Sequence, residues 1–287
     1  MKLLELRNNY HRRICQEVLR ISRRNGKDYA NYSDVDSRAS VLIGLKIIEE
    51  LNYPVSAGTV SEQTRGNLFE DITSEYIEQC FQLLAHLRPG EWIYSTTKTE
   101  ISNFAQYEHL KSIEEKVKTD KDLSSTLGTD YIVKPDIIVA RTPVSDEKIN
   151  ECGAILDEND NISKLTNLRK SNAPKAPLRI LHASISCKWT IRSDRSQNTR
   201  TEALNLIRNR KGNLPHVVAV IAEPLPTRIA ALALGTGDLD CVYHFALHEL
   251  RKAIIDLDNE DQKDILDIMV NGGRLRDISD LPFDLAV

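Results

Sequence analysis

The chain has 287 residues, 41% of them hydrophobic, which is enough to bury a sizeable core in one large domain or two modest ones. Its 38 basic and 42 acidic residues give a net charge of −4, so it is not uniformly basic as many nucleic-acid binders are, and its five scattered cysteines (Cys15, Cys80, Cys152, Cys187, Cys241) form no C-x-x-C pair for zinc or redox chemistry. Every apolar run near the N-terminus is broken by charge and none is long enough to span a bilayer, so a soluble, cytoplasmic protein with no membrane partner is expected.

In chain order, apolar spacing predicts helices over 2–23, 38–51 and 66–87, the third carrying Leu68, Ile72, Phe81 and Leu84 and stopped by Pro89-Gly90. Another helix is expected over 104–118. From Asp130 to Ala140 the chain turns β-branched and continuously apolar, as a buried strand does. The polar stretch 144–178 reads as a long connection, and loops of that length are commonly interaction surfaces. Strand 178–191 alternates, with Leu181, Ala183, Ile185 and Cys187 on one face and His182, Ser184, Ser186 and Lys188 on the other. A helix over 201–210 ends at Lys211-Gly212, and Val217–Ala222 is a buried strand closed by Pro224 and Pro226. A short strand is expected over 229–234 and two helices over 241–269. This order predicts an α/β domain over 1–287, a central mixed sheet flanked by helices. Residues 1–127 are mainly helical, 128–240 carry the sheet, and 241–287 supply C-terminal helices.

Charge is informative once it is localised. Between Cys187 and Lys211, seven basic residues (Lys188, Arg192, Arg195, Arg200, Arg208, Arg210, Lys211) face two acids (Asp194, Glu202), a local net of +5 suited to phosphate, although a solvated helix face has the same signature. Asp136 follows Pro135, Ser186-Cys187-Lys188 closes a strand, and Glu202 lies on the helix after it. Each has a structural explanation when taken alone. Asp136 can end a strand, Lys188 can guard a sheet edge, and Glu202 can close a capping box with Thr199. Together, two carboxylates and an ammonium on neighbouring elements suit a Mg²⁺ site for phosphodiester hydrolysis. Asp136 and Glu202 would hold metal, while Lys188 would orient the attacking water and steady the charged phosphate.

These motifs resemble the restriction endonucleases with a PD...(D/E)xK core, specifically the NgoMIV-type branch that cuts CCGG-containing sites. The resemblance is carried by Leu181–Arg195, Asn205–Lys211, Ala222-Glu223-Pro224, Asp277–Pro282, Gly66–Glu70 and Asp130–Asp136. It implies a restriction-endonuclease-like core in which a helix glutamate, Glu202, replaces the second acid of the strand motif. It further implies Glu70 as another acid of the site and the Cys187 carbonyl as a metal ligand beside Asp136 and Glu202, with two Mg²⁺ per active site. Ser186, Lys188 and Asp136 then form the catalytic strand ends. The resemblance assigns Arg192, Asp194 and Arg195 to the CCGG bases, Asp34 and Arg228 to the outer G·C pair, and Gln63 to the minor groove. Those residue types suit the task, since arginine bridges guanine O6 and N7 while aspartate accepts from cytosine N4. The expected substrate is double-stranded DNA at GCCGGC, cut by a homodimer that assembles as a tetramer.

Three other signals are set aside. His244 and His248 are four apart, but Phe245 stands where a zinc peptidase needs glutamate. Asp157-x-Asn159-x-Asn161 opens like a calcium loop, yet Ile162 and Leu168 replace its glycine and glutamate. Gly235-Thr-Gly237 lacks a third glycine. Two competing readings are a nuclease of the same fold with another site, against which Arg192–Arg195 argues, and a DNA-binding module without catalysis.

Overall fold

Past Val18 the chain abandons the single helix expected over 2–23. Helix α1 (Leu3–Arg13) runs into one turn of π-helix, Ile14–Val18, and Leu19 is already extended. Strands β1 (Ile21–Arg24) and β2 (Lys27–Ala30) then pair antiparallel about Asn25 and Gly26, whose φ values are 52° and 76°. Asn-Gly is the favoured pair for a two-residue hairpin turn because both central positions need left-handed backbone. The coordinates are a computed structural model describing residues 2–122, 125, 133–157, 159, 161–172, 177–191, 193–235 and 237–287, with 172 and 193–196 described for backbone alone.

Helix α2 (Arg38–Leu51) is capped by Ser37 and ends at left-handed Asn52; α3 (Glu62–Leu83) is capped by Ser61, whose Oγ accepts the Thr64 N–H at 3.1 Å. The helix expected over 104–118 is shorter. It becomes α4 (Lys111–Thr119), preceded by two 3₁₀ turns, and Phe104 bridges instead to Arg179. Asp130 and Tyr131, the start of the expected strand 130–140, lie outside the described residues. The 144–178 connection holds a short helix α5 (Asp146–Ile149), tied down by buried Arg169, which donates to both Asp146 oxygens at 2.7 and 2.8 Å.

Among the described residues six strands form the main sheet, in the order β3 (Trp92–Ser95), β4 (Ile137–Arg141), β5 (Ile180–Lys188), β6 (His216–Ile221), β7 (Cys241–His244), β8 (Leu275–Asp277). The pairs β3–β4 and β4–β5 are antiparallel and the rest parallel, so the sheet is mixed, as expected for the α/β class. Val218, Val220 and Ile221 of β6 are all but sealed from solvent. Burying such a side chain stabilises the fold by roughly 1.5–3 kcal/mol.

Helix α6 (Ser193–Asn209) begins eight residues before the expected start at 201. The expected strand at 229–234 is instead helix α7 (Pro226–Ala233), with proline at its first turn and Ile229, Leu232 and Ala233 buried at helical spacing. Cys241–His244, expected in a helix, is the fully buried strand β7; an apolar run of four does not reveal its period. Helices α8 (Leu247–Asp256) and α9 (Glu260–Asn271) follow, then strand β8 within the segment read as helical, and α10 (Leu281–Asp284). Arg7 of α1 closes the molecule, donating to buried Asp277 at 2.8 and 2.9 Å and to Glu249 at 2.8 and 2.9 Å.

Candidate active site

Antiparallel register builds the site. Ile137 pairs with Ile185, which sets Asp136, one residue before β4, beside Ser186 on β5. The Asp136 carboxylate accepts the Cys187 N–H at 2.9 Å, Lys188 Nζ at 2.9 Å and Lys98 Nζ at 2.7 Å, with Ser186 Oγ at 3.4 Å. Lys98, in the loop after β3, also donates to Glu70 on α3 at 2.9 Å. One ammonium therefore bridges two carboxylates.

The environment separates the acids. Burial works to raise Asp136, but Lys188 and Lys98 outweigh it and hold the carboxyl below its ordinary range. Glu70 moves up, through burial first and then the neighbouring Asp136 charge, against the pull of Lys98. Burial also raises Glu202, partly offset by Lys188.

Helix α3 presents Gln63, Gly66, Asn67 and Glu70 at helical spacing to a cleft of about 580 Å³ that also holds Cys187, Lys188 and Glu202. Its other face buries Phe69, Ile72, Tyr76 and Ile77. A Cβ at Gly66 would meet no other described atom within 4 Å. Because α6 starts at Ser193, Thr199 lies inside the helix and is no N-cap, which removes the capping-box explanation of Glu202.

A second cleft of about 870 Å³ shares Glu62, Arg65 and Thr190 with the first. On it Asp34 and Arg228, 194 residues apart, pair directly through Oδ2 and Nη2. Behind them lies a carboxylate the sequence did not single out. Glu223 is fully buried and accepts the Ile191 N–H at 3.1 Å and the Leu225 N–H at 3.3 Å. Burial pushes its carboxyl up to about 7, against those two N–H groups and Arg228. Arg192 and the side chains of Asp194 and Arg195 lie outside the described residues. Gln63 sits on the catalytic cleft, apart from the Asp34–Arg228 pair. His244 lies on β7 and His248 on α8, so they do not share a helix; His244 Nε2 contacts the Glu223 carbonyl at 3.2 Å.

The described residues contain no ready-made cage of three or more His, Cys, Asp or Glu side chains. Magnesium needs none, since it keeps several waters and takes one or two carboxylates together with substrate phosphate. Asp136 and Glu70, both within hydrogen-bond reach of one Lys98 nitrogen, already surround a cation and offer the hard oxygens it prefers.

The sequence profile of the NgoMIV restriction enzyme family matches residues 10–287. The chain belongs to the NgoMIV restriction enzyme family. It is 47% identical over 267 residues to the type II restriction enzyme NgoMIV of Neisseria gonorrhoeae, covering 92% of each chain. As a member of the NgoMIV family it is a type II restriction enzyme, a site-specific deoxyribonuclease. Two solved structures are also similar: type IIF restriction endonuclease Bse634I with cognate DNA, at TM-score 0.37, 15% identity and 89% and 98% of the two chains, and Bse634I restriction endonuclease, at 0.33, 12%, 84% and 97%. Scores this low carry no argument about this NgoMIV-family chain. Lys98 is the residue of the site that sequence reading missed; Thr96-Thr97-Lys98 has no motif, and only the fold brings it to Asp136.

Proposed function

We propose that the protein cleaves double-stranded DNA at GCCGGC after the first G, leaving 5′ CCGG overhangs, by hydrolysis dependent on two Mg²⁺ per active site. The observation that carries this reading is the Asp136 carboxylate, gathered with Lys188, Lys98 and Glu70 beside a cleft that Glu70 and Lys188 line and that shares Glu62, Arg65 and Thr190 with the cleft of the Asp34–Arg228 pair. Asp136, Glu202 and the Cys187 carbonyl would hold the metal, with Glu70 as a further acid of the site. When bound, the metal supplies an activated water and charge for the developing phosphorane. Lys188 steadies that phosphate and orients the water, and Ser186 and the Cys187 N–H fix Asp136.

Arg192, Asp194 and Arg195 read CCGG, and Arg228 with Asp34 reads the outer pair, while Gln63 reaches the minor groove. The Asp34 pairing restrains the long Arg228 side chain before DNA arrives, so less freedom is lost on binding. The palindrome calls for a homodimer, and the tetramer is built on the 144–178 connection, which exposes Ile155, Ile162 and, at 98%, Leu165.

Plasmid digestion in Mg²⁺ followed by sequencing of the ends tests the whole reading, and matched duplexes of GCCGGC and ACCGGT test the outer pair. Each bidentate contact discriminates by about 1–3 kcal/mol and acts twice per site, so ACCGGT should be strongly rejected. Equal cleavage removes the outer-pair assignment, and uncut plasmid removes the catalytic one.

A further inference from the structure

The β1–β2 hairpin distributes its charge unevenly. On one face Arg23 pairs with Asp28 across the ladder at 3.5 Å. On the other, Arg24 stands directly opposite Lys27, both exposed, and like charges facing across a ladder destabilise it. Nearby, exposed Arg38 occupies the first turn of α2, where the helix dipole disfavours a cation. None of these three cations makes a side-chain hydrogen bond or ion pair among the described residues.

Arg24, Lys27 and Arg38 line one groove of about 880 Å³, floored by Tyr29, Val41 and Leu42. Of the two acids on it, Asp28 is committed to Arg23, which leaves Asp36 against three cations. The groove shares Arg24, Val35 and Asp36 with the cleft that holds Asp34 and Arg228, so it continues the DNA-reading cleft outward. Two electrostatically unfavourable placements converging on one channel are explained by an anion that enters it from the cleft.

We propose that this groove grips the sugar–phosphate backbone of DNA beyond the outer base pair, so that the protein holds more duplex than it reads. The proposal rests on the function above. It assigns the hairpin cations to phosphate, which carries charge without sequence information.

The test measures binding by fluorescence anisotropy against salt, with Ca²⁺ replacing Mg²⁺ to withhold cleavage. One duplex ends at the site and the other extends it by about one helical turn, roughly 10 base pairs, on each side. The variant Lys27→Ala/Arg38→Ala changes only exposed side chains that line the groove and not the cleft of Asp34 and Arg228, and Lys27→Glu alone serves should the double variant melt early. On the long duplex, where each of the two protomers contributes both cations, the slope of log affinity against log salt should become shallower by about 3–4, at about 0.9 for each phosphate no longer neutralised, with affinity falling at least about 10-fold at low salt. Binding to the short duplex and the position of cleavage should not change. Equal weakening on both duplexes, an unchanged slope on the long one, or an altered sedimentation of the variant without DNA would each overturn the proposal, the last by assigning the groove to an interface between copies. Failure of the wild-type chain to select GCCGGC would instead bring down the underlying function, which separates the two failures.

Discussion

Replacing Gly66 by alanine should make the protein more stable and worse at binding DNA. Gly66 is the fifth residue of α3, inside the helix, where glycine is about 0.5–1 kcal/mol less favourable than alanine. The new methyl would meet no other described atom within 4 Å, so no clash offsets that gain. For a chain of this size, 1 kcal/mol moves the melting temperature by about 2–4 °C, so a rise of about 1–4 °C is expected. The same methyl projects into the cleft with Lys188, Glu70 and Glu202, to which the proposed function brings the scissile strand. Overfilling a close-packed contact costs about 1–3 kcal/mol, which is a fall of about 5- to 150-fold in affinity for a GCCGGC duplex. Melting curves and anisotropy titrations measure both arms. A more stable variant with undiminished affinity refutes the close approach of DNA to α3, and a less stable variant refutes the open space above Gly66.

Lys98→Met should bind Mg²⁺ or Ca²⁺ about tenfold more tightly by calorimetry, because the bridging ammonium that a metal must displace is gone; unchanged affinity would contradict the bridge. Glu223→Gln should lose about 1–3 kcal/mol of stability in denaturant melts, because the amide turns a donor toward one of two N–H groups. It should also weaken selection of GCCGGC over one-base variants with the salt slope intact, and unaltered selection would show that Glu223 does not position the reading segments. Asp277 is held down at about 2, against an ordinary 3.8, because Arg7 and the Ser279 hydrogen bonds overcome burial. A depressed carboxyl contributes stability above its unfolded value and loses it as pH falls, so about 2 kcal/mol should disappear between about pH 4 and pH 2. In Asp277→Asn that acid limb should flatten; an unchanged limb by urea melts at several pH values would place the titration elsewhere.

Much of the site was legible along the chain because its parts sit at the ends of regular elements. Asp136 before β4, Ser186-Cys187-Lys188 closing β5 and Glu202 one helix later follow from strand alternation and the order of elements, and hard oxygens beside an ammonium are the basis of the metal chemistry proposed above. The buried strands at 137–141 and 216–221 were equally plain. Where an apolar run is too short to show its period, local pattern does not separate strand from helix, as at Cys241–His244 and Pro226–Ala233. The hairpin at 21–30 was announced by Asn25-Gly26 and overlooked in favour of helical spacing.

What the tertiary structure alone decided is the pairing of distant charges. Lys98 with Asp136 and Glu70, Arg228 with Asp34, Glu223 with the Ile191 and Leu225 N–H groups, and Arg7 with Asp277 join residues through interactions that carry no local pattern. Local sequence sets backbone preference through sterics and side-chain period, which act over a few residues. A charge finds its partner only where folding has excluded water and lowered the local dielectric, and which groups meet there is fixed by the packing of the whole sheet and its helices.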